Sequence, residues 1–195
     1  MATPFLKIKE FEEALSQLTG APYVVMTDSC THAIELCLRF DHVKRCSIPA
    51  RTYLSIPMTL CKLDIEYDYQ DHDWLGEYHI TGTRIWDSAR LLKQGMYRPG
   101  MLQCLSFGID KPLSIGRGGG ILLDDENAYN RLIRQRYDGR DLSIIPWQDQ
   151  KIFEVGYHYK PTIEEAERGL ELLPTFDQLP KPKEYPDLRE IIIIK

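Results

Sequence analysis

Apolar side chains recur at helical spacing near the start of the chain and predict a helix over residues 8–18, which Gly20 ends. The apolar run at 23–26 predicts a short buried strand. Polar residues of the types that cap helices occupy positions 28–31, and a second run at helical spacing follows at 33–38. The first unit is therefore predicted to be helix, strand, polar turn and helix.

Strands and helices continue to alternate along the rest of the chain. The predicted strands are 46–48, 63–67, 83–86, 102–107 and 120–123, and the predicted helices are 54–61, 126–137 and one that Thr162 caps. This alternation indicates an α/β fold with a mostly parallel sheet sandwiched by helices. Because the crossovers are short, some strands could pair antiparallel instead. Arg131, Arg134 and Arg136 are expected on the outer face of the helix over 126–137.

The pattern divides the chain into one domain and a tail. Residues 1–173 carry the periodic segments, whereas residues 174–195 contain four prolines that oppose regular structure. The aliphatic run at 191–194 would need another strand or a partner to cover it. We therefore predict a single α/β domain over 1–173 and a proline-rich tail over 174–195.

Composition excludes several classes of protein. The net charge of −5 argues against a general nucleic-acid binder, and no apolar run approaches the roughly 20 residues of a membrane span. The N-terminus lacks the pattern of a signal peptide. The five cysteines form no Cys-x-x-Cys pair and the histidines have no ligand spacing, so we predict no metal site and no disulfide framework. A cytoplasmic protein with a small-molecule substrate fits these features.

Four local features could carry chemistry, and each has an ordinary structural alternative. The segment 27–31 could bind phosphate at a helix start, or it could be a plain helix cap. Asp87 ends an apolar strand, where it could hold a charged ring nitrogen or sit in a turn. Lys111 could be a nucleophile or a solvated charge. The glycine-rich run 116–120 lacks the spacing of known phosphate loops and indicates close backbone approach.

Together these features resemble the DegT/DnrJ/EryC1/StrS aminotransferases. The shared motifs are Ser-x-Thr at 29–31, Pro-x-x-Thr-aromatic at 49–53, Asp-x-Ala at 87–89, Ser-Phe-x-x-x-Lys at 106–111, Gly-x-Gly-Gly at 116–119 and Gly-Tyr-x-Tyr at 156–159. The spacing within 106–119 is the most specific of these signals. The resemblance covers residues 8–173. It implies the fold type I large domain of pyridoxal 5'-phosphate enzymes, without the C-terminal small domain that normally closes over the substrate.

The resemblance also assigns roles to individual residues. Lys111 would bind the cofactor as a Schiff base and move a proton, and Asp87 would keep the pyridine nitrogen protonated. Tyr53 would stack on the cofactor ring. The phosphate would lie among Ser29, Cys30, Thr31 and Ser106. Family active sites are shared within a homodimer, so His158 would reach the cofactor of the partner subunit.

Several positions depart from the family pattern. Relatives have glycine at the position of Cys30, glutamate at that of Arg117, glutamine or histidine at that of Arg90, and commonly asparagine at that of His158. A helix–strand unit is also missing between residues 68 and 83. Arg90 and Arg117 suggest an anionic substrate, because guanidinium groups bind carboxylates and phosphates bidentately.

The sequence therefore favours an aminotransferase. It would move an amino group from a donor such as glutamate, through pyridoxamine phosphate, to a keto group of a nucleotide-linked keto-sugar or another anionic acceptor. Two alternatives remain open. One is another pyridoxal-phosphate reaction (decarboxylation, elimination or dehydration) on an amino-acid-like substrate, and the other is a non-catalytic relic of the fold.

Overall fold

The structure is a computed structural model that describes residues 5–194. Within these residues the chain forms five α-helices and seven strands, which alternate as predicted from Leu6 to Gln70. Four further strands then follow with no α-helix between them. The helices are α1 Leu6–Thr19, α2 Cys30–Phe40, α3 Ser55–Lys62, α4 Glu126–Gln135 and α5 Ile163–Leu172. The strands are β1 Tyr23–Thr27, β2 Arg45–Pro49, β3 Glu66–Gln70, β4 Tyr78–His79, β5 Ile85–Asp87, β6 Leu102–Ser106 and β7 Gly119–Leu123. None of the helices described is long and apolar enough to cross a membrane.

The sheet is mixed rather than mostly parallel. The order of the main sheet is β1-β7-β6-β5-β4, in which β5 and β6 pair parallel and the other neighbours pair antiparallel. The strand β7 follows β6 through a loop without a helix, and a return of this kind leaves consecutive strands antiparallel. Strands β2 and β3 form a separate parallel pair, joined to the chain beyond β4 by backbone hydrogen bonds between Ser47 and Thr81 of 2.9 Å in both directions.

Helices cover both faces of the main sheet, which confirms the predicted sandwich. Alternate residues of the strands point to opposite sides, so Val24 packs with α1 and α5, and Val25 packs with α2 and α4. On β6, Leu105 lies on the same face as Val24, and Cys104 lies on the same face as Val25. Two apolar clusters result, one on each face of the sheet.

Local sequence signals account for the ends of the helices. Gly20 ends α1 in the left-handed conformation at φ +79°, and the Ser29 hydroxyl caps α2 by accepting a hydrogen bond from the His32 amide at 3.2 Å. Thr162 and Glu165 form a capping box at the start of α5. These helix boundaries are confirmed to within a few residues.

Two expected positions are wrong, and one strand has no counterpart among the predicted elements. The strand predicted at 63–67 lies at β3, because the chain turns at Leu63 and at Asp64, which has φ +53°. The two-residue strand β4 is too short for a periodic signal. Arg136, expected on an outer face, is buried and forms an ion pair with Glu12.

The proline-rich segment is irregular but lies against the domain. The Lys181 amide donates to the Arg90 carbonyl at 3.0 Å, and the Leu188 amide donates to the Ala50 carbonyl at 2.9 Å. Leu188 is buried. Ile192 and Ile194 are exposed, and no strand within residues 5–194 pairs with them.

Candidate active site

A cavity of about 390 Å³ lies where β5 and β6 end and α2 begins. Every cofactor or substrate residue that the sequence indicates lines this cavity except His158. These residues are Ser29, Cys30, Thr31, Tyr53, Asp87, Arg90, Ser106, Lys111 and Arg117. They come from five separate stretches of the chain, so the fold brings together features that were individually weak.

One end of the cavity suits an anion. The amides of Cys30 and Thr31 open α2 and have no partners within the helix. The hydroxyl groups of Ser29, Thr31 and Ser106 border the same space. The positive end of the helix dipole adds to this preference for negative charge.

Glycine allows β7 to approach this helix start. A Cβ atom on Gly119 would lie 2.4 Å from the backbone nitrogen of Cys30, a distance that no side chain can adopt. The Sγ of Cys30 lies 3.7 Å from the Cys104 carbonyl oxygen. Burial raises the pKa of the Cys30 thiol, which keeps it protonated.

Asp87 occupies a buried position at the end of β5 and is only 5% exposed. Its Oδ1 accepts a hydrogen bond from the Ala89 amide at 2.9 Å, and its Oδ2 accepts one from the Tyr78 hydroxyl at 2.9 Å. The Tyr78 oxygen lies 2.8 Å from Oγ1 of Thr52. Burial raises the pKa of Asp87 against the opposing effect of these hydrogen bonds. A cation facing this carboxylate would hold it ionised.

Lys111 follows a tight turn in which its amide donates to the Gly108 carbonyl at 3.2 Å. Within the described part of the chain, its Nζ makes no hydrogen bond and no ion pair. Burial lowers the pKa of Lys111, and the charges of Arg90 and Lys183 act in the same direction, whereas Asp87 and Cys30 oppose them. The amine is therefore more readily deprotonated than an ordinary lysine.

The two arginines already have internal partners. The Arg90 side chain is 3% exposed; it donates to the Lys181 carbonyl and lies 3.4 Å from Oδ2 of Asp110. Arg117 lies 2.8 Å from Oδ2 of Asp28. Burial acts to raise the pKa of Asp28, but hydrogen bonds and charge from His32 and Arg117 outweigh it and lower that pKa.

His158 lies outside the cavity. Its Nδ1 is 3.1 Å from Oδ2 of Asp138, and the side chain is exposed. The sequence assigns His158 to the site of a partner subunit, and that assignment stays a prediction. Its neighbour Tyr159 supports the cavity indirectly, because its ring stacks on His32 at 3.6 Å and its carbonyl accepts from the Asp28 amide at 2.9 Å.

Five lining or supporting residues escape the sequence analysis: Thr52, Trp74, Tyr78, Lys183 and Tyr185. Thr52 belongs to a motif that was recognised, and its contact with Tyr78 gives it a role. Trp74 and Tyr78 lie in the stretch 68–83, which carries no clear periodicity. Lys183 and Tyr185 lie in the proline-rich segment, where no local signal points to a site.

The donor set fits pyridoxal 5'-phosphate. The helix start offers amides and hydroxyl groups to a phosphate, Asp87 offers a buried carboxylate to a ring nitrogen, and Lys111 offers an unpaired amine to an aldehyde. Tyr53, 59% exposed, presents an aromatic ring at the same cavity. The close approach of Gly119 to Cys30 shapes the phosphate end.

Residues 3–66 match the model of the DegT/DnrJ/EryC1/StrS aminotransferase family. Comparison with curated protein sequences gives no match. Among solved structures, the chain is similar to AtS13 from Actinomadura melliaura, with a TM-score of 0.74 and 21% identity, covering 87% of this chain and 60% of that one.

Two further solved structures are similar to the chain. NtdA from Bacillus subtilis, solved with bound cofactor PMP, has a TM-score of 0.70 and 20% identity, covering 85% of this chain and 47% of that one. A mutant of GDP-4-keto-6-deoxymannose-3-dehydratase (ColD) with bound GDP-perosamine has a TM-score of 0.71 and 17% identity, covering 86% of this chain and 60% of that one.

The chain spans 58% to 60% of the length of the first three solved structures that it matches. The predicted fold type I architecture is confirmed by the likeness to these structures. The resemblance indicated by the motifs is thereby confirmed as well, with the DegT/DnrJ/EryC1/StrS aminotransferase family matched over residues 3–66 and its fold over most of the chain.

Proposed function

We propose that this chain is a pyridoxal-phosphate aminotransferase that transfers an amino group from a donor such as glutamate to a keto group. The observation that carries the proposal is the meeting of Lys111, Asp87 and the start of α2 in one cavity. The acceptor we propose is a nucleotide-linked keto-sugar or another anionic keto compound.

Each residue has a distinct task in this proposal. Bound in the cavity, the cofactor would supply an electron-accepting ring that stabilises negative charge on the substrate carbon. Lys111 would hold the cofactor and then, as a free amine, carry the proton at its Nζ. Asp87 would face the ring nitrogen and favour its protonated form. Ser29, Thr31 and Ser106, with the amides of Cys30 and Thr31, would hold the phosphate.

The pKa directions of the two central groups agree with these tasks. A lowered pKa lets Lys111 spend more time as the neutral amine, which is the nucleophile and the proton acceptor. The pKa of Asp87 is raised because burial disfavours its negative charge. A cation opposite the carboxylate would therefore stabilise its ionised form. A protonated ring nitrogen would supply that cation.

Three further features belong to the proposal. We place the protein in the cytoplasm, where its five free cysteines would stay reduced. We propose a homodimer with shared active sites, in which His158 approaches the cofactor of the partner subunit. Tyr53 would cover one face of the cofactor ring.

Dehydration is the second candidate, because one of the matched structures is a sugar dehydratase. The same lysine and carboxylate could serve either reaction, so the residues described do not separate the two. A non-catalytic relic is the third, and Lys111 argues against it because a binding protein has no need of a half-buried unpaired amine.

A half-reaction assay separates these candidates. Protein loaded with pyridoxal phosphate is mixed with glutamate alone, and 2-oxoglutarate is measured by mass spectrometry. An aminotransferase releases about one equivalent per cofactor bound, because the amino group stays on the cofactor, and Lys111→Ala releases none. GDP-4-keto-6-deoxymannose is then added as an acceptor probe. Loss of water from that sugar would indicate dehydration, and no reaction with either substrate would contradict the enzyme proposal.

A further inference from the structure

The segment formed by residues 180–190, here called the tail segment, forms part of the cavity wall. On one side, the Lys181 amide donates to the Arg90 carbonyl at 3.0 Å, and Pro180 packs so closely on Gly76 that a Cβ there would lie 3.0 Å from the Pro180 Cβ. On the other side, buried Leu188 donates its amide to the Ala50 carbonyl at 2.9 Å. The tail segment is thus fixed at both ends.

Between these anchors, Lys183 and Tyr185 line the cavity. The Nζ of Lys183 is 3.0 Å from Oδ2 of Asp110, the residue next to Lys111. The Lys183 side chain is 47% exposed and that of Asp110 is 61% exposed. An ion pair this exposed contributes little to stability. A more highly charged anion could therefore replace Asp110 as the partner of Lys183.

Lys183 is the lining cation best placed to bind an incoming anion. Arg117 is held by Asp28, and Arg90 is buried against the Lys181 carbonyl and Asp110. Lys111 is reserved for the cofactor in the proposed function. That Arg90 and Arg117 bind the substrate anion stays a prediction, and Lys183 is a further cation at the same cavity.

Tyr185 supplies an aromatic surface beside this cation. Its ring stacks on Trp74 with centroids 5.8 Å apart and planes inclined by 21°, and it lies 6.5 Å from the ring of Tyr53. The Trp74 indole is fixed by a hydrogen bond of 2.8 Å from its Nε1 to the Arg51 carbonyl. A flat ring can extend such a stack.

We propose that Lys183 and Tyr185 contact the substrate directly, Lys183 by pairing with a negative group and Tyr185 by stacking on a flat ring. A nucleoside diphosphate group combines these two chemical features. This inference rests on the proposed function, because it assigns the acceptor side of the same cavity. It makes the tail segment a determinant of substrate specificity.

The test is calorimetric titration with GDP in the presence of excess pyridoxal phosphate. We expect Lys183→Ala to weaken GDP binding about tenfold, the loss expected from one charge-assisted hydrogen bond at a partly exposed site. Lys183→Arg should retain most of the affinity. Lys181→Ala is the matched control. It removes the same positive charge two residues before Lys183, and the Lys181 side chain does not line the cavity. Tyr185→Ala should weaken binding severalfold, and Tyr185→Phe should not.

The outcomes separate this inference from the proposed function. GDP binding needs no turnover, so the titration tests Lys183 even if no cofactor absorbance band forms. A missing band together with Lys183-dependent GDP binding would contradict the proposed function alone. A normal band together with GDP binding that is absent, or that Lys183→Ala and Lys181→Ala weaken equally, would overturn the inference alone.

Discussion

The Tyr78 hydroxyl donates a hydrogen bond of 2.9 Å to Oδ2 of Asp87, its direct partner on the neighbouring antiparallel strand. The strand β4 that carries Tyr78 has only two residues. Its position at the edge of the sheet nevertheless sets the orientation of the carboxylate that we assign to the ring nitrogen of the cofactor. Tyr78 is therefore a positioning residue.

Replacing Tyr78 by phenylalanine removes this donor and keeps the ring. We expect Tyr78→Phe to weaken binding of pyridoxal phosphate by about tenfold or more, because a hydrogen bond to a charged group contributes roughly 1.5–3 kcal/mol. An absorbance titration measures the change. Thr52→Val is the comparison variant, since Thr52 contacts Tyr78 and not Asp87. If Tyr78→Phe bound pyridoxal phosphate as tightly as the unmodified protein, Tyr78 would have no role in cofactor binding.

The lowered pKa of Lys111 predicts a pH dependence. Only the neutral amine attacks an aldehyde, so the rate of covalent attachment of pyridoxal phosphate should rise with pH around a midpoint below the ordinary value of 10.5. Lys183→Ala removes a positive charge that acts on Lys111 and should move the midpoint to higher pH. Stopped-flow absorbance measures both midpoints. A midpoint at or above the ordinary value would contradict the burial of Lys111.

The same shift affects stability. The pKa of Lys111 is lower in the folded chain than in the unfolded chain, so the unfolded chain binds more protons between the two values. The contribution of Lys111 to the free energy of unfolding therefore rises with pH across that interval. At a pH below both pKa values the contribution of Lys111 is constant, and the folded chain is less stable there than at high pH.

Two adjacent glycines on β7 provide a matched pair of variants. A Cβ on Gly119 would lie 2.4 Å from the Cys30 nitrogen, whereas a Cβ on Gly120 would have no neighbour closer than 3.7 Å. We expect Gly119→Ala to lower the free energy of unfolding by about 2–3 kcal/mol, as overpacking does, and to weaken cofactor binding. Gly120→Ala should change either quantity much less. Urea unfolding and the absorbance titration check this difference, and equal effects would refute the close approach.

The buried pair of Arg136 and Glu12 joins the end of α4 to α1. Arg136 also donates to the Met26 carbonyl at 2.6 Å, and Glu12 accepts from the Met26 amide at 2.8 Å. We expect Arg136→Ala to lower the free energy of unfolding by about 3–5 kcal/mol, because it leaves the buried Glu12 carboxylate without a positive charge beside it. Arg134→Ala, which removes only partly exposed ion pairs, should cost less than about 1 kcal/mol. Denaturant unfolding that gave similar losses for both variants would show that the buried pair is not stabilising.

Much of this architecture is predictable from local sequence. Helix ends at Gly20, Ser29 and Thr162 carry their own capping chemistry, so their positions follow from residue type. The meeting of Asp87 and Lys111 follows from their places beside the ends of two neighbouring strands.

Other features depend on long-range packing that no local pattern records. Arg136 is buried only because Glu12 and Met26, more than a hundred residues earlier, satisfy its charge and hydrogen bonds. Lys183 lies at the cavity because the tail segment pairs with Arg90 and Ala50 at its two ends. Prolines in that segment exclude regular structure, yet they do not reveal where the segment packs.

Borohydride reduction of the protein mixed with pyridoxal phosphate, followed by peptide mass mapping, shows whether the cofactor binds covalently to Lys111. We expect a yellow absorbance band before reduction and a pyridoxyl group on Lys111 afterwards. Both should be lost in Lys111→Ala and kept in Lys93→Ala, which changes an exposed lysine outside the cavity. A colourless protein, or labelling spread over surface lysines with none on Lys111, would contradict this expectation and leave the resemblance as one of fold alone.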